Sequence, residues 1–346
     1  MRSFIGTAIV ALTSVLAIGV LNAANDPPPP WAYGFAGPAT AAPASPPTAA
    51  AAGAPPAAGR GAAPAAPADE SKKSLPGSTG SFTLAQIRDA FGPADWYPGD
   101  HPPMPEVVAH GKRPDVRACS LCHYPNGKGR PENAGVAGLP YSYFMQTMAD
   151  FKNDARKSAD SRKANTNVMI AIAKGMTDEE TQAAAKYFSS MKWTPWIKVV
   201  EANTVPKTRI AGGMFLKLEG GETEPIGQRI IEAPDDAEHT EALRDPHSAF
   251  TAYVPVGSLK KGEALATTGG GGKTTQCSVC HGADLKGLGP VPGIAGRSPS
   301  YTARQLYDMQ QGTRKGVWSD LMKPVVANLT NDDILALAAY TASRMP

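Results

Sequence analysis

Two pentapeptides constrain this 346-residue chain more than anything else in it: Cys119-Ser120-Leu121-Cys122-His123 and Cys277-Ser278-Val279-Cys280-His281. Each reads C-x-x-C-H, the spacing used for covalent attachment of a c-type haem. On one helical turn, two thiols three positions apart can each form a thioether to a vinyl group of the same porphyrin. The imidazole that follows is then placed under the ring, where it can bind the iron. The two motifs use all four cysteines, so none remains for a disulfide or a nucleophile. C-x-x-C alone also suits zinc or a redox dithiol. A zinc site needs four ligands, and joining the two dyads would close a very long loop. A dithiol of the thioredoxin type needs neither a His directly after its second Cys nor a second copy. Two covalent haem groups are therefore expected.

The motifs belong to a larger internal repeat. An offset of 158 carries His123 to His281, Lys128 to Lys286, Gly129 to Gly287, Ala137-Gly138 to Ala295-Gly296, Tyr143 to Tyr301, Asp150 to Asp308 and Arg156 to Arg314. Further on the offset is 153 and carries Met169 to Met322, Thr177 to Thr330 and Tyr187 to Tyr340. An iron dedicated to electron transfer needs a second axial ligand, and a soft thioether sulfur keeps it low-spin and raises its potential. Met169 and Met322 are the candidates. Each stands eight residues before a helix-start signal, Thr177-x-x-Glu180 and Thr330-x-x-Asp333. Pro324 would stiffen the second of these segments. The alternative for any one Met is core packing, and Met176 is the nearest rival of Met169. The candidate cofactor-binding residues are thus Cys119, Cys122, His123, Met169, Cys277, Cys280, His281 and Met322. Of these, His123, Met169, His281 and Met322 would bind iron.

On these motifs each unit resembles a class I cytochrome c, and the pair resembles the dihaem cytochromes c of bacterial periplasms. The resemblance covers about residues 82–193 and 258–346. It implies a mainly α fold of two such domains in tandem, with two covalently attached haem c groups. It also implies an N-terminal helix in each unit, through Glu106-Val107-Val108 and Glu263-Ala264-Leu265. A closing helix, Asp178–Ser190 or Asn331–Ser343, would cross it, with the Met on a loop before that helix. A long N-terminal tail and some sixty residues between the units depart from the tightest dihaem proteins.

Residues 1–24 read as a signal peptide or an N-terminal membrane anchor. Arg2 precedes an apolar run, residues 4–21, and then small residues at a plausible cleavage point. If uncleaved, this run would tether the protein to the inner membrane; in either case the bulk is exported, which suits haem attachment. Residues 25–81 form an Ala/Pro-rich linker, expected to be disordered because it has little to bury and to act as an extended tether. Its aromatic cluster Trp31, Tyr33 and Phe35 suggests a docking motif or a membrane-interface segment. In unit one, residues 82–193, the spacing of Phe82, Leu84, Ile87 and Phe91 predicts a helix ended by Gly92-Pro93, and Tyr143–Phe151 predicts another. Arg156 and Arg314 are fork-shaped donors suited to haem propionates, or else solvent-exposed. Residues 194–257 break the helical pattern. Ile197–Val200, Met214–Leu218 and Arg229–Glu232 predict short strands in a β-hairpin-rich excursion packed between or over the units. His101, His110, His239 and His247 read as loop or surface residues before axial or metal ligands.

The formal charge of +3 is too small to argue for nucleic acid. Nothing reads as a nucleophile, a base dyad or a phosphate loop; the run Gly269–Gly272 signals no helix N-terminus after it and reads as a flexible loop before the haem helix. The expectation is a periplasmic electron carrier. Its partners would be a donor dehydrogenase or quinol-oxidising complex and an acceptor oxidase. The competing readings are a haem enzyme, a peroxidase or small-substrate oxidoreductase with a labile sixth ligand in unit one, and a permanent cytochrome subunit of a dehydrogenase.

Overall fold

The structure, a computed structural model, describes residues 26–37 and 69–346. The expectations for residues 1–24 and for the Ala/Pro tract 38–68 lie outside the described residues.

The first described element is a single helical turn, α1 (Pro30–Tyr33), before unit one. Unit one contains α2 (Leu84–Ile87), α3 (Glu106–Ala109), α4 (Cys119–His123), α5 (Tyr141–Lys152), α6 (Ala164–Gly175) and α7 (Asp178–Ser190). The helix predicted over 82–91 is shorter than its apolar spacing suggests. A reciprocal box between Thr83 and Gln86 starts it, and it ends at Ile87, before Gly92-Pro93 is reached. α7 begins at the predicted Thr177: its side chain accepts from Glu180 N, and Glu180 accepts from Thr177 N at 2.8 Å. Thr181, Ala184, Ala185, Tyr187 and Phe188 form its buried stripe, the 3.6-residue period of an amphipathic helix. That stripe shares a core with Val107, Val108, Phe144, Met148 and Phe151.

The excursion carries β1 (Ile197–Glu201), β2 (Thr204–Pro206), β3 (Thr208–Ala211), β4 (Met214–Lys217), β5 (Thr223–Pro225), β6 (Ile231–Pro234), α8 (Ala237–Glu241) and β7 (Phe250–Val254). β3 and β4 form a hairpin, and β2 pairs with β5, both antiparallel. The remaining sheet, ordered β1-β7-β6, has β1 parallel to β7. The third strand starts at Ile231 rather than Arg229, because Arg229 instead turns back to Glu224 and the Ile226 carbonyl.

Unit two contains α9 (Ser258–Thr268), α10 (Ser278–His281), the two-residue strands β8 (Gly287–Leu288) and β9 (Val291–Pro292), α11 (Pro299–Gln310), α12 (Lys323–Val326) and α13 (Asn331–Ala342). α13 is buried along its length from Asp333 to Ala342 and packs against both α9 and α11. The crossing with α9 is tight enough to need Gly262: a β-carbon there would lie 2.0 Å from the Ala336 carbonyl oxygen. The Ala-rich sequence of α13 allows such an approach. Unit two thus realises the expected crossing of first and closing helices. In unit one the first helix is a single turn, and it too packs against the closing helix.

Two expectations for the N-terminal region change. Trp31, Ala32 and Tyr33 are buried in the core of unit two, together with β6, β7 and α13. Tyr33 donates to Asp308 at 2.7 Å, and Arg304 donates to the Ala32 carbonyl at 2.6 Å. The Tyr307 hydroxyl reaches the Asp26 carbonyl at 2.5 Å. Gly34 has φ +80° and lies against the Gly213 backbone, so the strap also contacts the excursion. The aromatic cluster is therefore an intramolecular plug rather than a docking motif, and residues 26–37 leave the predicted disordered tail. Three aromatic side chains supply the burial that the surrounding Ala and Pro cannot.

Among the described residues no helix is long and apolar enough to cross a membrane.

Trp31→Ala is expected to cost about 3–5 kcal/mol, read as a lower denaturant midpoint. Asp333 gives a pH-dependent test. It caps α13 through Thr330 N and accepts Lys261 at 2.8 Å and also Lys273. Burial raises its carboxyl, but these bonds outweigh burial and bring it down to about 2. A folded value below the unfolded one means that its stabilisation is complete above roughly pH 4 and is lost as pH falls through about 2. Asp333→Asn should cost roughly 1–2 kcal/mol at neutral pH and flatten the acid limb of a stability–pH profile.

Candidate functional site

Each C-x-x-C-H motif folds as the expected helical turn, α4 and α10. The following loop then bends back over the histidine. His123 Nδ1 lies 2.8 Å from the Ala134 carbonyl oxygen, and His281 Nδ1 lies 2.8 Å from the Pro292 carbonyl oxygen. A carbonyl can only accept, so Nδ1 carries the hydrogen and Nε2 keeps its lone pair. Ala134 and Pro292 are themselves 158 residues apart, each eleven positions after its His. Burial pushes both imidazoles below their usual range, offset in part by that hydrogen bond. Each ring is thus neutral, oriented and ready to bind a metal through Nε2, the arrangement typical of a metal-ligating histidine. Sequence reasoning missed these two carbonyls, although the constant spacing of eleven was a readable signal.

No two of the four cysteines are joined in a disulfide. Burial pushes the Cys119 thiol up to about 12 and the Cys277 thiol up to about 11. A redox dithiol needs a depressed pKa, so that reading fails on this chemistry. Among the described residues there is no group of three or more His, Cys, Asp or Glu placed to hold a metal ion. His239 and His247 are held by Asp245 and Asp100, and His247 stacks on Tyr97. His101 bonds Asp95 and the Pro102 carbonyl. These are structural roles.

Met169 and Cys119 are half-buried against the core of unit one, and Met322 and Cys277 against that of unit two. The backbone around the methionines differs from the implied loop. Met169 lies inside α6, because nothing from Ala164 to Lys174 interrupts a helix. Met322 closes a 3-10 turn, Ser319–Met322, that runs directly into α12. Pro324 stands in the first turn of α12, where its fixed φ suits the helix. The rival Met176 is buried against the same core as Met169, just before the α7 cap, as expected for packing.

The two units meet through a near-symmetric polar interface. Arg156 donates to the Tyr301 hydroxyl at 2.9 Å, and Arg314 donates to the Tyr143 hydroxyl at 2.8 Å. Both also donate to Gln305 Oε1 at 2.8 Å. Lys157 N to Thr313 O and Lys315 N to Ala155 O join the backbones as a short antiparallel bridge. The two arginines are buried, which overturns the solvent-exposed alternative. Burial alone would raise the Tyr143 phenol, but Arg314 and Arg156 bring it down to about 8. Trp318 stacks on Tyr143 of unit one, with ring centroids 6.3 Å apart.

The fold and the twice-built histidine site define a class I cytochrome c duplicated within one chain. Cytochrome c4 of Azotobacter vinelandii is 33% identical over 227 residues, 64% of this chain and 82% of that one. The thiosulfate dehydrogenase electron acceptor of Stutzerimonas stutzeri (strain A1501) is 26% identical over 237 residues, 67% of this chain and 82% of that one. Cytochrome c-554(548) of Halomonas halodenitrificans is 37% identical over 84 residues, 24% of this chain and 98% of that one. No protein-family model matches. The chain belongs to the cytochrome c4 family: it is a dihaem electron-transfer cytochrome with two covalently bound haem c groups.

In the holoprotein, Met169→Ala and Met322→Ala should each remove part of the weak thioether-to-iron band near the red end of the visible spectrum and lower one midpoint in a redox titration. Met176→Ala should leave both unchanged. An unaltered band in either of the first two variants would refute that ligand assignment.

Proposed function

We propose that the protein works in the periplasm, taking single electrons from a dehydrogenase that oxidises thiosulfate or a similar sulfur oxoanion and passing them to an acceptor such as a terminal oxidase. The observation that carries the haem assignment is the pair of matched contacts, His123 Nδ1 to Ala134 O and His281 Nδ1 to Pro292 O. The sulfur-compound donor is supported by the relative named as a thiosulfate dehydrogenase electron acceptor. Export is supported by the leader-like residues 1–24 and by the covalent attachment of haem.

Each haem c, when bound, supplies a one-electron ferric/ferrous couple. The chain's own residues do the rest. Cys119 and Cys122, and Cys277 and Cys280, fasten the porphyrins. His123 and His281, held neutral and fixed in rotation, each offer Nε2. Met169 and Met322 would offer thioether sulfur as the second ligand of each iron, which would suit electron transfer rather than substrate binding. At the interface, Arg156 and Arg314 hydrogen-bond phenols and an amide, which leaves them suited to the propionate groups of the two haems. Their charge would favour ionised propionates. Electrons could then pass between the two units inside one molecule, and the chain could accept from one partner and deliver to another.

The test uses oxidised holoprotein, catalytic amounts of a purified thiosulfate dehydrogenase, and thiosulfate. Both haems should be reduced, read from the visible spectrum. Reduction by ascorbate but none by the dehydrogenase would reject the sulfur donor while leaving the electron carrier intact.

A further inference from the structure

The carbonyl that orients each histidine sits on the loop after its motif, and the two loops are supported differently. Both close on one carbonyl: Gly127 accepts from Val136 N and Ala137 N, and Leu285 accepts from Ile294 N and Ala295 N. Beyond that, the loop of unit two holds itself. β8 and β9 pair Gly287 with Pro292 and Leu288 with Val291, so the Pro292 carbonyl belongs to a local hairpin. In unit one no strand pair forms over the matching residues 129–134. Asn133 ties that loop to the Cys122 carbonyl at 3.3 Å. Buried arginines of unit two then grip three of its carbonyls. Arg304 donates to Pro131 O at 2.8 Å, and Arg297 donates to Gly135 O at 2.9 Å and Ala137 O at 3.1 Å. These carbonyls flank Ala134, whose own carbonyl meets His123. The other end of the Arg304 fork donates to Ala32 O of the strap at 2.6 Å. The excursion adds the Thr240 carbonyl, which accepts from Arg130 at 3.4 Å, and covers the neighbouring Tyr124 with Trp196, Phe250 and Arg244. The second motif is more open: Cys280 is exposed, whereas Cys122 is half-buried.

The grip runs one way. The positions 158 residues earlier are Leu139, which has no side-chain donor, and Gln146, which donates to Asp150 of its own helix at 2.8 Å. The contact in the other direction, Trp193 Nε1 to Gly296 O at 3.1 Å, falls beyond the β8–β9 hairpin. We infer that Arg297 and Arg304 of unit two are positioning residues for His123 of unit one: by fixing the segment 131–137 they fix the Ala134 carbonyl, and through it the plane of the ring. The inference rests on His123 being an iron ligand. A guanidinium donates along fixed, coplanar directions, and its bonds are roughly twice as strong as those between neutral groups. One fork therefore ties the strap and the loop to a single geometry. The environment of the first iron then depends on how unit two and the strap pack, while that of the second is set inside unit two. A weaker Nδ1–H bond makes an imidazole a less basic ligand, which favours the ferrous state and raises the potential.

Magnetic resonance on the full holoprotein decides it. In the reduced, diamagnetic protein, Arg304→Met and Arg297→Met should each speed solvent exchange of the His123 Nδ1 hydrogen by at least about tenfold and leave that of His281 unchanged. In the oxidised protein the hyperfine-shifted methyl signals of one haem should move and those of the other should not, and a redox titration should show one midpoint raised. Arg304→Lys keeps the charge without the fork and should give a smaller change of the same kind; it carries the test if the methionine variants fail to assemble. Gln146→Met, at the matching position of unit one, should leave both histidines as in the wild type. Wild-type exchange at His123 in Arg304→Lys and in every methionine variant that assembles would overturn the inference. So would equal changes at both haems, or faster His281 exchange in Gln146→Met. A His123→Ala variant that kept two low-spin haems would reject the ligand assignment itself and the inference with it.

Discussion

An imidazole whose Nδ1–H is held by a backbone carbonyl can offer a metal only its other nitrogen. That constraint underlies both halves of this molecule. It fixes the tautomer and sets the plane of the ring, while burial keeps the histidine neutral. The thioether positions follow from the same helical turn, because a Cys at each end of C-x-x-C projects to one side of it. Once the turn and the returning loop are set, the rest of each unit has to build walls around a flat, largely apolar disc. The closing helix and the aromatic residues of each core supply those walls.

Duplication raises a second requirement, that the two sites face each other without exposing their joint. The interface meets it with cations rather than with apolar side chains. Arg156 and Arg314 are buried where the units meet, each bonding the other unit's tyrosine. A buried guanidinium is costly unless its donors are satisfied. Here phenols, a shared glutamine and, on the proposed reading, haem propionates satisfy them. Arg297, whose donors go to the Gly135 and Ala137 carbonyls of unit one, adds a third such contact. Fork-shaped donors of fixed geometry hold the units in one orientation more firmly than a greasy contact would.

The excursion and the N-terminal strap break the symmetry that duplication would leave. β6 supplies Glu232 to Ser298 and Ser300 at the start of α11, while β7 and the segment after α8 reach back over the first motif. The strap fills the outer side of α11 with Trp31 and Tyr33. A single inserted layer therefore stabilises unit two and screens unit one, so two similar sites acquire different access to solvent and to partners.

Much of the fold was legible in the chain. C-x-x-C-H reports on itself, because the covalent chemistry requires that spacing, and the internal repeat, at an offset of 158 and then 153, paired the Met, Tyr and Arg positions. The capping boxes at Thr177 and Thr330 placed both closing helices, since a helix start is satisfied by neighbours in sequence. Local pattern misled where the deciding contact was remote. An aromatic cluster in an Ala/Pro tract looked like a docking motif because its partner helix lies some 270 residues away. The Met169 segment was expected to be a loop, although its uninterrupted helical sequence had already indicated otherwise. What the sequence by itself determined was the chemistry: two covalent haem sites, their anchoring residues, and the helices whose caps lie within a few residues. Which carbonyl holds each histidine, which arginines are buried between the units, and which motif is covered were settled only by the tertiary structure, because each depends on groups brought together by packing rather than by spacing along the chain.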